Sequence, residues 1–162
     1  MTYRLRAYRD ADAEALAKLC LAAIRQIGTK AYTPEQVGAW SGRHRGPAMY
    51  RDRAAAGAAI FVAVDGGDHP VAYALLEEDG HLDRLYCHPD HTRQGLADRL
   101  LTAAQEHAQA VNIARLYTEA SELARPVFER AGYAVTKRRD FQIEHDGKSV
   151  PIHNYAMEKR LG

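Results

Sequence analysis

Two cysteines in 162 residues, Cys20 and Cys87, are too few for a disulfide framework. Long apolar runs are missing as well, and the opening MTYRLRAYRD has no apolar signal core, so a cytoplasmic, reduced setting without a membrane partner is expected. Neither sign of charge dominates: 22 Lys and Arg against 21 Asp and Glu leave a net +1, which gives no general attraction to nucleic acid or anionic lipid. The eight histidines are scattered without the Cys/His spacing of a zinc site, so no metal is expected. Internal repeats, linkers and low-complexity segments are absent too. Nothing divides the chain, and residues 1–162 are expected to form one domain that buries roughly two-thirds of its unfolded surface.

What is present is an ordered series of short apolar runs and amphipathic stretches. Tyr3 to Ala7 alternates as a first strand, and Asp10 and Asp12 cap a helix that runs to about Gln26, with Leu16, Leu19, Cys20, Ala23 and Ile27 on its buried face. Pro34 suits the first turn of a second, short helix. Trp40 to Gly46, which includes His44 and Arg45, reads as an aromatic and basic loop before a third helical piece at about Pro47 to Ala56. Ile60–Val64 and Val71–Leu76 flank strong turn chemistry as a hairpin, and Leu82–Cys87 returns as the next antiparallel strand. A helix from Gly95 to about Ala110, a strand from Ala114 to Glu119, a short helix from Leu123 to Arg130 and a closing hairpin around Asp146-Gly147 complete the order. These elements predict a mixed α/β sheet with helices on both faces.

The stretch LDRLYCHPDHTRQGLADRLL, from Leu82 to Leu101, organises the rest. It passes from strand to polar turn to helix start, and the first backbone N–H groups of such a helix lack intrahelical partners and carry the positive end of its dipole. Arg93 adds a charge beside them, while Gly95 and the small Ala97 let a ligand approach the backbone. The segment therefore reads as a pyrophosphate cradle at the carboxyl end of a strand, where open α/β sheets hold ligands. The Gly-Lys-Ser/Thr ending of a P-loop is absent, which ranks a nucleotide-phosphate binder last.

Thr92-Arg93-Gln94-Gly95-Leu96-Ala97 resembles the acetyl-CoA motif of the GNAT N-acetyltransferase superfamily, Gln/Arg-x-x-Gly-x-Gly/Ala, with Thr at its first position. Thr118-Glu119-Ala120-Ser121 and Pro126 to Tyr133 are similar to that family's second CoA-side motif, and Tyr32 to Trp40 looks like one bacterial subgroup of uncharacterised members. The resemblance implies a GNAT-like domain with a mixed, mostly antiparallel central sheet. It also implies acetyl-CoA as cosubstrate and direct acetyl transfer to an amine of a small molecule or protein. CoA contacts are expected at Leu85, Tyr86, Cys87, Arg93, Gln94, Gly95, Leu96, Ala97, Asp98, Ser121 and Phe128, with an oxyanion donor among the backbone N–H groups of Leu85, Tyr86 and Cys87. Tyr32, Trp40 and His44 fall on the acceptor side, although Trp40 equally fits a role packing the helix pair. A homodimer stays open as an assembly.

Amide formation from a thioester needs a neutral amine, and a primary alkyl ammonium near a pKa of about 10 is almost wholly charged at neutral pH, so a base is required. Strict alternation in the strand puts His81, Asp83, Leu85 and Cys87 on one face and Leu82, Arg84, Tyr86 and His88 on the other. A bulge would end that argument beyond Leu85. Asp83 is the first choice of base and His81 the second; the competing readings are an Asp83–Arg ion pair and a plain turn residue at His81. By resemblance, the tyrosine that protonates the departing thiolate belongs at Phe128, which has no proton to give, and Tyr155 is a weak substitute. Ser121 stands where relatives often carry Asn. Cys87 reads as a small buried hydrophobe and not as an acyl carrier. A catalytically idle CoA-binding or sensing module is the competing function.

Overall fold

The computed structural model describes residues 2–44 and 46–162; Arg45, expected in the aromatic and basic loop, lies outside them. Among the described residues, seven strands form two antiparallel sheets. The first has the order β1 (Arg4–Ala7), β2 (Ala59–Val64), β3 (Pro70–Leu76) and β4 (Leu82–Cys87). The second has β5 (Arg115–Ala120), then β7 (Lys148–Arg160), then β6 (Ala134–His145). β4 and β5 run parallel and meet at one bridge, His81 with Tyr117. The result is a mixed, mostly antiparallel sheet that is split down the middle.

Helices cover both faces. On one, α1 (Ala13–Ile27), α2 (Pro34–Gly42) and α3 (Ala48–Ala55) pack Leu16, Leu19, Ile24, Val37 and Tyr50 against Val62, Tyr73 and Leu75. On the other, α4 (Leu96–Ala110) lays Leu96 and Leu100 over Ala63, Ala72 and Ala74, whose small side chains let the helix sit close to the strands. α5 (Arg125–Arg130) follows β5, and its buried Phe128 joins a cluster with Leu82, Leu101 and Met157. No helix among the described residues is long and apolar enough to cross a membrane.

Two local readings change. α2 is capped reciprocally: Gln36 N–H donates to Thr33 Oγ1 at 3.1 Å and Thr33 N–H donates to Gln36 Oε1 at 2.9 Å. It then runs through Gly42, so Trp40 to Gly42, expected in a loop, are helical. Tertiary packing carries the helix that far, because Val37 and Ala39 are buried in the core and the His145 ring lies against the Gly38 and Gly42 face.

The second change falls in β4. Leu76 pairs with Leu82 but Leu75 pairs with Arg84, which leaves Asp83 as the extra residue of a β-bulge. Strict alternation therefore breaks at Asp83, earlier than expected, and the face shared by Asp83, Leu85 and Cys87 does not exist. Leu85 and Cys87 pack on the α4 side, whereas Asp83 reaches Arg53 on α3. Asp83 and Arg84 border the same cavity.

At the sheet's outer edge, Arg6 in β1 grips Asp12 at the start of α1 through two hydrogen bonds of 2.8 Å, with side-chain exposures of 9% and 7%. Asp12 also accepts the Arg9 backbone N–H, and the Arg6 and Arg9 contacts together overcome burial and hold its carboxyl below the usual range. Replacing one partner leaves a nearly buried charge, partly relieved here by Asp68 beside Arg6. Asp12→Ala is expected to lower unfolding stability in urea titration by about 3 kcal/mol. A loss under about 0.5 kcal/mol, the range of an ordinary surface substitution, would show that this pair does not anchor α1.

Candidate functional site

The site begins where β4 and β5 part. At their starts the strands are tied: Tyr117 N–H donates to the Gly80 carbonyl at 3.0 Å and Thr118 Oγ1 donates to the Leu82 carbonyl at 2.7 Å. Gly80 has φ +99°, and a Cβ there would lie 2.1 Å from the Arg115 carbonyl oxygen, so only glycine fits so close to β5. Beyond this pivot no strand pairing joins β4 to β5 among the described residues. One backbone edge of β4 is left free, and two cavities fill the gap.

The larger cavity, about 460 Å³, lies against Asp83, Arg84, Glu119, Tyr32, Trp40 and His153. The smaller, about 180 Å³, is almost wholly apolar and is lined by Ile24, Ile27, Leu85, Cys87, Ala97 and Val127. Trp40, Leu85, Tyr86, Ser121 and Ala124 border both. A slender apolar chain in the smaller cavity would thus reach the polar one beside the free edge of Leu85 to Cys87.

The cradle sits at the end of the small cavity. Arg93 has φ +61° and Gly95, the N-cap of α4, has φ +74°, while the space beyond the Gly95 Cα is open for 4 Å. The helix proper begins at Leu96, one residue later than expected. Arg93, Gln94 and Asp98 are exposed; Leu96 is a core side chain, so only its N–H can serve a ligand, and Ala97 faces the apolar cavity. Asp98 accepts a hydrogen bond from Arg130 at 3.2 Å. Open, exposed N–H groups at a helix start can hold an anion, and the apolar cavity adjoins them at Ala97.

His81 and Asp83 are brought together despite the bulge, as part of a wider ion-pair cluster. His81 Nδ1 is 2.8 Å from Glu77 Oε1 and Nε2 is 2.9 Å from Glu119 Oε1, with the imidazole stacked on Tyr117 at 4.7 Å. Burial lowers its pKa, but the hydrogen bonds to Glu119 and Glu77 outweigh that and raise it to about 9. At neutral pH His81 already holds its proton and is a poor base. Asp83 Oδ2 accepts from Arg53 at 2.9 Å, and its other oxygen makes no hydrogen bond among the described residues. Ligand atoms of Glu77, His81 and Asp83 lie within 4.8 Å of one another, as metal ligands would. Arg53 bridges Glu77 and Asp83, and with the His81 contacts the cluster forms an ion-pair network.

A family profile described as an acetyltransferase (GNAT) domain matches residues 29–158. The chain belongs to the GNAT family. A GCN5-related N-acetyltransferase from Rhodopseudomonas palustris is 30% identical, with a TM-score of 0.86 over 99% of this chain and 97% of that one. The uncharacterized N-acetyltransferase YafP of Escherichia coli is 24% identical over 84% of each chain. The PaiA N-acetyltransferase of Thermoplasma acidophilum, solved with coenzyme A, shares the fold with a TM-score of 0.78 at 16% identity, over 99% of this chain and all of that one.

Within this GNAT fold the other expected residues hold differing positions. Tyr32 is buried and its hydroxyl is committed: it donates to the His153 carbonyl at 3.0 Å and accepts the Glu122 N–H at 2.8 Å, tying the β5–α5 turn to β7. Trp40 packs edge-on to Tyr32 and lines both cavities. Burial, with the Arg84 and Arg43 charges, pushes the His44 pKa down to about 4. Its Nδ1 accepts from Arg84 Nη1 at 2.7 Å, which leaves the neutral ring's hydrogen on Nε2. Phe128 is buried edge-on to Tyr133, Ser121 Oγ accepts the Ala124 N–H, and Tyr155 donates to Glu122 at 2.8 Å. Burial raises the Cys87 thiol to about 11, so it is no ready nucleophile. Glu119, Arg53, Arg84, Arg139 and His153 were missed as cavity residues. Alternation along β5 beside Thr118 marks only Glu119; the others come from elements far apart in sequence.

The raised pKa of His81 makes stability depend on pH. Its contribution is fully present below the unfolded value of about 6.5 and is lost as pH rises through the folded value of about 9. Thermal unfolding from pH 6.5 to 9 should therefore show a steeper fall for the parent protein than for His81→Gln. Equal slopes would remove the imidazolium from the pivot.

Proposed function

We propose that this chain transfers acetyl from acetyl-CoA to an amine by direct attack in a ternary complex. The observation that carries it is the open, positive-φ turn at Arg93 and Gly95 leading through an apolar cavity to the unpaired edge of β4. Exposed N–H groups at the start of α4, with Arg93, would hold the pyrophosphate, and the cavity from Ala97 to Leu85 would enclose the pantetheine. Acetyl-CoA supplies the thioester. Backbone N–H groups in Leu85 to Cys87 would donate to its oxygen as negative charge develops there.

The acceptor amine enters from the larger cavity. Asp83 first takes one ammonium proton, directly or through one water, which frees the nitrogen lone pair; the nitrogen–carbon bond then forms, the carbon–sulfur bond breaks, and the second proton on nitrogen leaves to water. The Arg53 contact fixes one Asp83 oxygen and leaves the other to receive the proton. The thiolate, with an ordinary pKa near 8.5, takes its proton from water; Phe128 has none to give and the Tyr155 hydroxyl is held by Glu122.

That missing donor is also what favours the second reading, an idle CoA-binding or sensing module. Release of free thiol from acetyl-CoA across a panel of amines decides between them. Turnover supports the enzyme, and CoA binding without thiol release supports the sensor.

Gly95→Val is expected to lose CoA affinity strongly in calorimetric titration. A β-branched residue at φ +74° pays about 1–2 kcal/mol in strain and fills the approach to the helix start. Arg93→Ala should lose less, about 1–2 kcal/mol for one partly solvated contact. Undiminished affinity in Gly95→Val would remove this turn from the site.

Asp83→Asn should keep CoA affinity while kcat/KM falls by about 10²–10⁴, the usual worth of a positioned base. Raising the pH should then recover activity as more amine arrives unprotonated. Full activity at pH 7 would leave the proton to another group.

A further inference from the structure

The larger cavity is lined by four arginines, Arg43, Arg53, Arg84 and Arg139, against two carboxylates, Asp83 and Glu119. Both carboxylates already have counter-charges, Asp83 in Arg53 and Glu119 in the His81 imidazolium. The other three arginines have no carboxylate of their own among the described residues, Arg84 only sharing Asp83 with Arg53 at 3.7 Å. Among the described residues Arg139 donates to the neutral Asn154 amide, and Arg139 and Arg43 lie over the Phe141 ring at 5.4 and 5.9 Å without a carboxylate partner.

Arg84 is the deepest of them, with 12% of its side chain exposed. Its Nη1 faces the His44 ring nitrogen, the Tyr50 hydroxyl and the Cys20 sulfur, all neutral groups, and its Nε is 3.7 Å from Asp83. Burial holds the Cys20 thiol above its ordinary pKa and the Tyr50 hydroxyl at about 12, so neither supplies an anion at neutral pH. Nη2 makes no hydrogen bond among the described residues. A largely buried guanidinium with Nη2 free suits an oxyanion, because one Nη2–H and the Nε–H beside it, which makes no hydrogen bond among the described residues, point the same way and can give a carboxylate two parallel, charge-assisted hydrogen bonds. The neutral His44 adds a further donor, Nε2–H, to the same wall.

Resting on the acetyl-transfer reading, we propose that the acceptor is a small amine that also carries a carboxylate, an amino-acid-like zwitterion. Arg84 binds the carboxylate, Arg43 and Arg139 steer it inward, and the ammonium lies toward Asp83. At about 460 Å³ the cavity has the size of small-molecule sites, and Trp40, Tyr86 and Phe141 offer apolar surface to the remainder of the substrate. An amine with positive charge at both ends meets the arginines as like charges.

The test compares amino acids with their decarboxylated amines, phenylalanine with phenethylamine and leucine with isopentylamine, with spermidine as the all-cationic arm. The amino acids should exceed their partners at least tenfold in kcat/KM. Arg84→Met and the double variant Arg43→Gln/Arg139→Gln should erase most of that margin through KM, with the KM for acetyl-CoA unchanged; the double variant serves if Arg84→Met does not fold. Equal or better use of the decarboxylated amines or of spermidine would overturn the proposal, as would a preference that survives both variants. If no amine is turned over, calorimetry of the amino acids with the CoA-loaded protein separates the two ideas. Binding that the arginine variants abolish keeps the carboxylate site and sinks acetyl transfer, and the absence of any binding sinks the carboxylate site as well.

Discussion

Everything in the site follows from β4 and β5 being joined at one end and free at the other. Two parallel strands that paired along their length would satisfy each other's backbone groups and leave no room between them. Here a single bridge, a glycine that no larger residue can replace and a threonine bond hold the starts together. The bulge at Asp83 lies next to that pivot, and a bulge bends its strand and increases the local twist. The open gap supplies free backbone donors, an apolar passage and a polar chamber at once.

Charge is divided along the same gap. At the closed end, His81, Arg53, Glu77, Asp83 and Glu119 compensate one another in a network that braces the pivot. Deeper in the chamber, the Arg84 guanidinium stands against a hydroxyl, a thiol and an imidazole that stay neutral, with Asp83 no nearer than 3.7 Å. The contrast matters because a buried charge is costly unless it finds a partner. Arg84 has only a 3.7 Å approach to Asp83, a carboxylate that Arg53 already holds at 2.9 Å.

Much of the fold was legible in the chain. The order of strands and helices, the Asp146-Gly147 hairpin with φ of +51° and +74°, and the turn at Arg93 to Gly95 all stand where local pattern puts them. Alternation failed at Asp83, since a bulge depends on how two strands match in register and twist, which a single strand's composition does not encode. The assignment of Trp40 to Gly42 to a loop failed for a related reason. Their mixed polarity suggests irregular chain, but burial of Val37 and Ala39 and packing against His145 keep them helical.

By itself, the sequence determined the periodicities and the glycine turn, because those depend on residues within a few positions of one another. The capping of α1 expected of Asp10 and Asp12 does not form, since Asp12 makes no side-chain cap bond there and turns its carboxylate to Arg6 and the Arg9 N–H. The sequence also carried the turn that resembles the GNAT acetyl-CoA motif, since a positive-φ turn before a helix is a local backbone device. Tertiary structure alone decided which titratable groups meet. His81 is a base by composition and a protonated clamp by position, because Glu77 and Glu119 flank it from a turn and from another strand. Arg53, Arg84 and Arg139 come from α3, β4 and β6 to one chamber, and only the packing of those elements sets the field they make there.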